Sequence, residues 1–238
     1  MIAGLIYSLL AGLGDVLGGV LVIRHAPRNR ATLAMLVGFG AGFMLAVALL
    51  EMTPRALTME GGITAVLLGY LGVHLTQHSL VPHFHFGEET HAEAMVSRDV
   101  GVWALLGLLP HSFFDGVAIS SGFMRSNELG VLIFAAILLH KVPTGVSLAS
   151  IMLASGNSPA RSLGAVALTA VATVLGGLIT PAIQPLAEFG LALAAGVTIY
   201  VAASNLIPES QHQPGWLVQV AVFAGVAVFY LVRVVLTG

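Results

Sequence analysis

The sequence predicts an all-α membrane protein with eight transmembrane helices, and three observations carry that expectation. Of 238 residues, 57% are hydrophobic and only 8% charged, and mean hydropathy is +0.96, whereas a soluble domain carries about 25% charged residues. The apolar residues gather into eight runs close to the length of about 20 residues that a helix needs to cross hydrocarbon. The 28 glycines suit membrane helices, whose backbones approach one another through small residues. A net charge of -2 with nine Lys and Arg excludes a nucleic-acid binder, which needs a basic face. The absence of cysteine excludes disulfides, thiol catalysis and thiolate metal sites. Histidine is as frequent as Lys and Arg together, nine of each, which is the first compositional sign of chemistry.

Taken in order, the runs cover residues 2–23, 31–52, 62–80, 100–124, 129–154, 162–182, 191–207 and 215–236. The first lacks the basic start and small-residue cleavage signal of a secretory peptide and is expected to stay in the mature chain. It contains Asp15, which reads first as a helix-packing partner and alternatively as a proton or metal stop. The second carries Met44 and Glu51 two turns apart, so both can face one groove, and Glu51 would supply a second negative charge for a dication. The plainer reading of Met44 is a core filler. His74 and His78 form an i, i+4 pair on the third run. Residues 82–99, with His83, His85 and His91 near Glu88 and Glu89, form a polar loop too short to bury a core. That loop suits a weak, flexible metal-acceptor role; its bland alternative is a solvated linker with incidental histidines. The whole of residues 1–238 is otherwise one transmembrane domain.

Eight spans place both termini on one side. Arg24, Arg28, Arg30, Arg98 and Arg161 lie in the odd-numbered connections, and Arg55 and Arg125 in the even-numbered ones. Positive charge favours the cytoplasm, so both termini are expected outside, with His25, the 82–99 loop and His212 facing in.

Two internal repeats concentrate the chemistry. His111-Ser112-Phe113-Phe114-Asp115-Gly116-Val117 aligns with His140-Lys141-Val142-Pro143-Thr144-Gly145-Val146. Each places a His and an oxygen-bearing residue at i and i+4, one above the other on a helix. Pro110 and Pro143 should bend these spans and free backbone carbonyls. A weaker repeat relates Glu51-x-x-Pro54 in the second span to Asn205-x-x-Pro208 in the seventh. Proline-interrupted spans in corresponding halves are what transporters show around a midplane site. Ionisable residues inside apolar spans are costly and by default functional. Here they are His111, Asp115, His140 and Lys141. Two imidazoles and a carboxylate suit a borderline dication such as zinc when no thiolate is present. The alternative is that each His hydrogen-bonds a carbonyl of a neighbouring helix.

These motifs, with Gly38 to Met44 in the second span and Tyr200 to Glu209 around the seventh, resemble the ZIP (Zrt/Irt-like) family of divalent metal transporters over nearly the whole chain. The resemblance implies a bundle with inverted repeats, the fourth and fifth spans at its centre, and a metal path between a transport unit and a scaffold. It implies movement of zinc, iron, manganese or cadmium toward the cytoplasm, with the metal as substrate and no organic cofactor. It also implies a homodimer in the lipid bilayer of a bacterial inner membrane. His111, Asp115 and His140 match primary-site ligand positions, Met44 matches a second-span ligand position in some members, and Ser112 stands where the family usually has Asn. The usual fifth-span motif is His-Glu-x-Pro-Glu-Gly. Lys141 and Thr144 replace its two glutamates, changing the charge by +2 and +1, so the centre is three units more positive. Thr180, Pro181, Ser204 and Asn205 also sit where many members carry acidic or His ligands. A single-metal centre is therefore expected, with Lys141 in place of a second metal.

A buried ammonium needs a carboxylate. Asp115 is its first expected partner and Glu51 the next; the alternative is a Lys141 that snorkels to a water-filled cavity. A divergent member that senses metal or transports another solute is the runner-up function. An intramembrane metalloprotease would need His-Glu-x-x-His with an adjacent base, and no such run occurs.

Overall fold

The computed structural model describes residues 2–25, 30–79, 98–208 and 216–237. Among these every regular element is helical, and only short turns separate the helices. The eight helices are α1 (Ile2–His25), α2 (Arg30–Val47), α3 (Gly62–Ser79), α4 (Arg98–Arg125), α5 (Asn127–Ala154), α6 (Pro159–Ile179), α7 (Gln184–Tyr200) and α8 (Trp216–Thr237). Helix α2 continues through a π-helical turn, Ala48–Met52, into Thr53–Leu57. Helix α7 continues through a π-helical turn, Val201–Leu206, to Pro208. Seven of these segments are long and apolar enough to cross a membrane, and α3 is shorter, its apolar part being Gly62–Gln77. At 1.5 Å per residue the 18 residues of α3 still extend about 27 Å, close to the hydrocarbon thickness. Apolar side chains such as Leu13, Leu17, Leu67, Phe223 and Leu231 point outward, while Asp15, Asp115 and Lys141 are buried. That inside-out pattern belongs to a multi-pass integral membrane protein.

Several boundaries differ from the sequence expectation. The second span runs past Pro54 to Leu57 rather than ending at residue 52. The cause is visible in the backbone: the Thr53 N–H reaches back to the Ala48 carbonyl, and this wider turn accommodates the proline. The seventh span begins at Gln184, seven residues early, because Pro185 in the first turn has no N–H to leave unsatisfied. Helix α4 begins at Arg98, so the polar loop ends before residue 98. The remainder of that loop, with His83, His85 and His91, lies outside the described residues, as does His212.

The expected inverted repeat is present in the packing. Helices pair as α1 with α5 and α4 with α6; as α2 with α8 and α3 with α7; and as α2 with α5 and α4 with α7. Exchanging α1 with α6, α2 with α7, α3 with α8 and α4 with α5 leaves that pattern unchanged. Individual close approaches obey the same exchange. A Cβ on Gly18 would strike the Val142 carbonyl and one on Gly176 the Phe113 carbonyl; on Gly145 it would strike the Asp15 carbonyl and on Gly116 that of Thr173. Gly42 against Val222 is matched by Gly196 against Val66. The weaker sequence repeat joins them, since both π-helical turns immediately precede Pro54 and Pro208. Two units result: α1, α4, α5 and α6 form one, α2, α3, α7 and α8 the other, meeting where α2 packs on α5 and α7 on α4.

Close packing at these glycines is testable. Gly18→Ala should destabilise the purified protein by about 1–3 kcal/mol through overpacking. Gly164→Ala, where nothing lies within 4 Å of the new methyl, should stay within about 0.5 kcal/mol. Unfolding in mixed detergent micelles compares the two.

Candidate metal centre

The first unit buries its polar residues where α4 and α5 meet. His111 and Asp115 are one turn apart on α4, and the Nε2 of His111 lies 3.4 Å from Asp115 Oδ2. From α5, the Nε2 of His140 lies 3.4 Å from the same oxygen, and the two imidazole centroids are 5.4 Å apart. All three residues are buried. One ligand atom from each lies within 4.8 Å of the others, the one such His/Asp/Glu group among the described residues. At a Zn–N distance of about 2.0–2.1 Å, two tetrahedral ligand atoms are separated by about 3.4 Å. The two contacts to Asp115 thus have the length of edges of a tetrahedral coordination shell.

Tautomer selection points the same way. His140 Nδ1 is 3.2 Å from the Ala136 carbonyl oxygen, which can only accept, so Nδ1 donates there and Nε2 is the nitrogen turned to Asp115. His140 Nε2 and both ring nitrogens of His111 are buried without a hydrogen-bond partner. Buried imidazole nitrogens without a hydrogen-bond partner, gathered at a carboxylate, are suited to a cation.

Lys141 is fully buried and does not snorkel. Its Nζ lies 2.9 Å from Asp15 Oδ2 and 3.1 Å from Asp115 Oδ2. It also donates to Thr173 Oγ1 at 2.9 Å and Ser112 Oγ at 3.3 Å. The expected first partner, Asp115, is present, but Asp15 from α1 is closer. Glu51, the second expected partner, pairs instead with Arg55 and Arg233.

Glu51 lies elsewhere. Its buried carboxylate pairs with Arg55 one turn along and with Arg233 of α8. It thus faces two basic residues and is not one of the three residues whose ligand atoms lie within 4.8 Å of one another. The equivalent position in the other repeat, Asn205, donates to Gln77 at 3.2 Å, so it too is engaged in holding two helices together. Sequence spacing put Glu51 on the face of Met44 by assuming an α-helical turn throughout, and the π-helical turn that contains Glu51 changes that register. Met44 itself is fully buried. It sits one turn beyond Gly40, whose Cα faces His140. The Thr144 hydroxyl donates to the His140 carbonyl at 2.8 Å. His74 is exposed, with its ring edge against Tyr200. The sequence read Asp15 first as a helix-packing partner, and it pairs with Lys141; Thr173, which accepts from the same ammonium, is the neighbour the sequence left without a role.

The helical bundle with its repeated packing and a buried imidazole–carboxylate group defines a multi-pass membrane protein. Residues 72–233 match the family described as ZIP zinc transporter, and the chain belongs to that family. It is 36% identical over 124 residues to a zinc transporter ZupT of Enterobacter sp. (strain 638), covering 48% of each chain. It is 36% identical over 127 residues to a zinc transporter ZupT of Escherichia fergusonii, with the same coverage. With a zinc transporter ZupT of Salmonella heidelberg it shares 35% over 132 residues, 50% of this chain and 49% of the relative. The chain thus spans about half the length of the curated relatives it matches.

The Glu51 arrangement gives a direct expectation. Glu51→Gln should lower stability by about 1 kcal/mol, because both arginines are partly exposed and retain water. Zinc affinity should stay within about twofold, as read by titration calorimetry on the same preparation.

Proposed function

We propose that the protein transports divalent metal cations across the membrane, zinc first among them, through a single site formed by His111, Asp115 and His140. The observation that carries this reading is the convergence of two unpartnered imidazole nitrogens on one carboxylate oxygen, both at 3.4 Å, inside an apolar bundle. Hydrated dications do not enter hydrocarbon; exchange of water ligands for these side chains near the midplane replaces the hydration shell. Met44, from the α2 face that packs on His140, or water completes the shell. Alternating exposure follows from movement of one four-helix unit against the other where α2 meets α5 and α7 meets α4.

In this proposal Lys141 takes the place of a second metal. Its ammonium sits among four oxygens, two of them carboxylate. A dication placed beside it would be repelled at short range. The charge on Asp115 is thereby shared between cargo and lysine, giving modest affinity and ready release. Movement toward the cytoplasm, a bacterial inner membrane and a homodimer are the parts of the proposal that rest on the family, while both termini outside rests on the distribution of arginines among the connections. The loop containing His83, His85 and His91 would tune metal handling without forming the path.

Purified protein in vesicles tests the reading. Wild type should accumulate zinc and hold one metal per chain, while Asp115→Ala and His111→Ala, at matched expression, should lose uptake by at least about tenfold. Normal uptake in Asp115→Ala, or two metals per chain, contradicts it. Metal binding at this site without uptake would assign a sensor instead.

A further inference from the structure

The metal reading explains His111, Asp115 and His140 but not why a second carboxylate is buried within reach of the same lysine. Asp15 is completely enclosed, comes from α1, and holds its Oδ2 2.9 Å from Lys141 Nζ. Its place is fixed from both sides. A Cβ at Gly145 would strike the Asp15 carbonyl, and one at Gly14 would lie 3.1 Å from Lys141 Cβ, so α1 is docked on α5 around the lysine without slack. Thr173 Oγ1, opposite Asp15, donates to the Thr169 carbonyl at 3.1 Å and therefore turns a lone pair to Lys141. An ammonium has three N–H bonds, and four oxygens compete for them.

We infer that Asp15 is a positioning residue of the metal site, acting through Lys141: by sharing the ammonium it keeps the Oδ2 of Asp115 available to the metal. The inference rests on the metal-site reading above and deepens it. Asp115 Oδ2 is the single atom that faces both imidazoles and the ammonium. If Lys141 had no other counter-ion, its charge would settle on that oxygen and oppose the cargo. The charge count makes the same point. Two carboxylates, one ammonium and neutral imidazoles sum to -1, and an arriving dication leaves +1 in a medium where charge is expensive. Without Asp15 the sums are 0 and +2.

A charge series tests the inference. Zinc binding to the full chain in detergent is measured by calorimetry for wild type, Asp15→Asn, Lys141→Met and the double variant, with net site charges of -1, 0, -2 and -1. Thermal unfolding without metal separates binding from folding. Asp15→Asn should weaken zinc binding by at least about tenfold, and adding Lys141→Met should bring it back to within about threefold of wild type. A purely structural Asp15 would give a double variant no better than Asp15→Asn. That result, or wild-type affinity in Asp15→Asn, overturns the inference. Should Asp15→Asn alone not fold, the double variant decides: the inference requires it to fold and bind zinc as wild type does, and loss of binding overturns it. His111→Ala runs in parallel. Retained affinity there overturns the metal reading and this inference together, whereas loss there with full affinity in Asp15→Asn overturns the inference alone.

Discussion

A lysine ammonium enclosed in an apolar bundle must be neutralised where it stands, and much of the first four-helix unit is arranged around that requirement. Lys141 comes from α5, Asp15 from α1, Asp115 and Ser112 from α4, and Thr173 from α6, so one side chain ties all four helices. Removing one partner of a buried charge pair costs several kcal/mol, because the other charge is left without compensation. The glycines that let α1 approach α5 and α6 approach α4 are what bring these groups within 3.3 Å of Nζ. The same constraint delivers Asp115 to the two imidazoles, so the metal reading and the packing share one cause.

The inverted repeat supplies the framework, and the chemistry comes from breaking it. Under the exchange that relates the helices, His111 corresponds to His140, and the imidazole pair is symmetric. Every charged member of the cluster, however, has a neutral hydroxyl as its counterpart: Asp115 and Thr144, Lys141 and Ser112, Asp15 and Thr173. The other unit shows the same device, with Glu51 and Arg233 on one side and Asn205 and Gln77 on the other. A symmetric scaffold thus carries an asymmetric set of charges.

Much of this was legible in the sequence. Hydrophobic length gave the spans, and the 29-residue repeat gave His111, Asp115 and His140, because i, i+4 spacing on a helix maps directly onto one face. That Lys141 would seek Asp115 followed from the cost of a buried charge. What sequence could not give was which third helix would lie opposite. Asp15 is remote in the chain, and its approach depends on Gly14, Gly18 and Gly145 acting together. Glu51 was placed near the metal because two turns of α-helix return to the same face, but its own turn is π-helical and its carboxylate reaches Arg55 and Arg233. Helix ends at proline were misjudged for a related reason, since proline is tolerated in a first turn and after a wider turn.

The most direct test of this account is anomalous diffraction at the zinc edge from crystals of the full chain grown with zinc. The account predicts one peak per chain, about 2.1 Å from the Nε2 atoms of His111 and His140 and from an Asp115 oxygen, with Lys141 Nζ still held by Asp15. Two peaks per chain, or a peak at Glu51 with the His111 and His140 nitrogens empty, would contradict it.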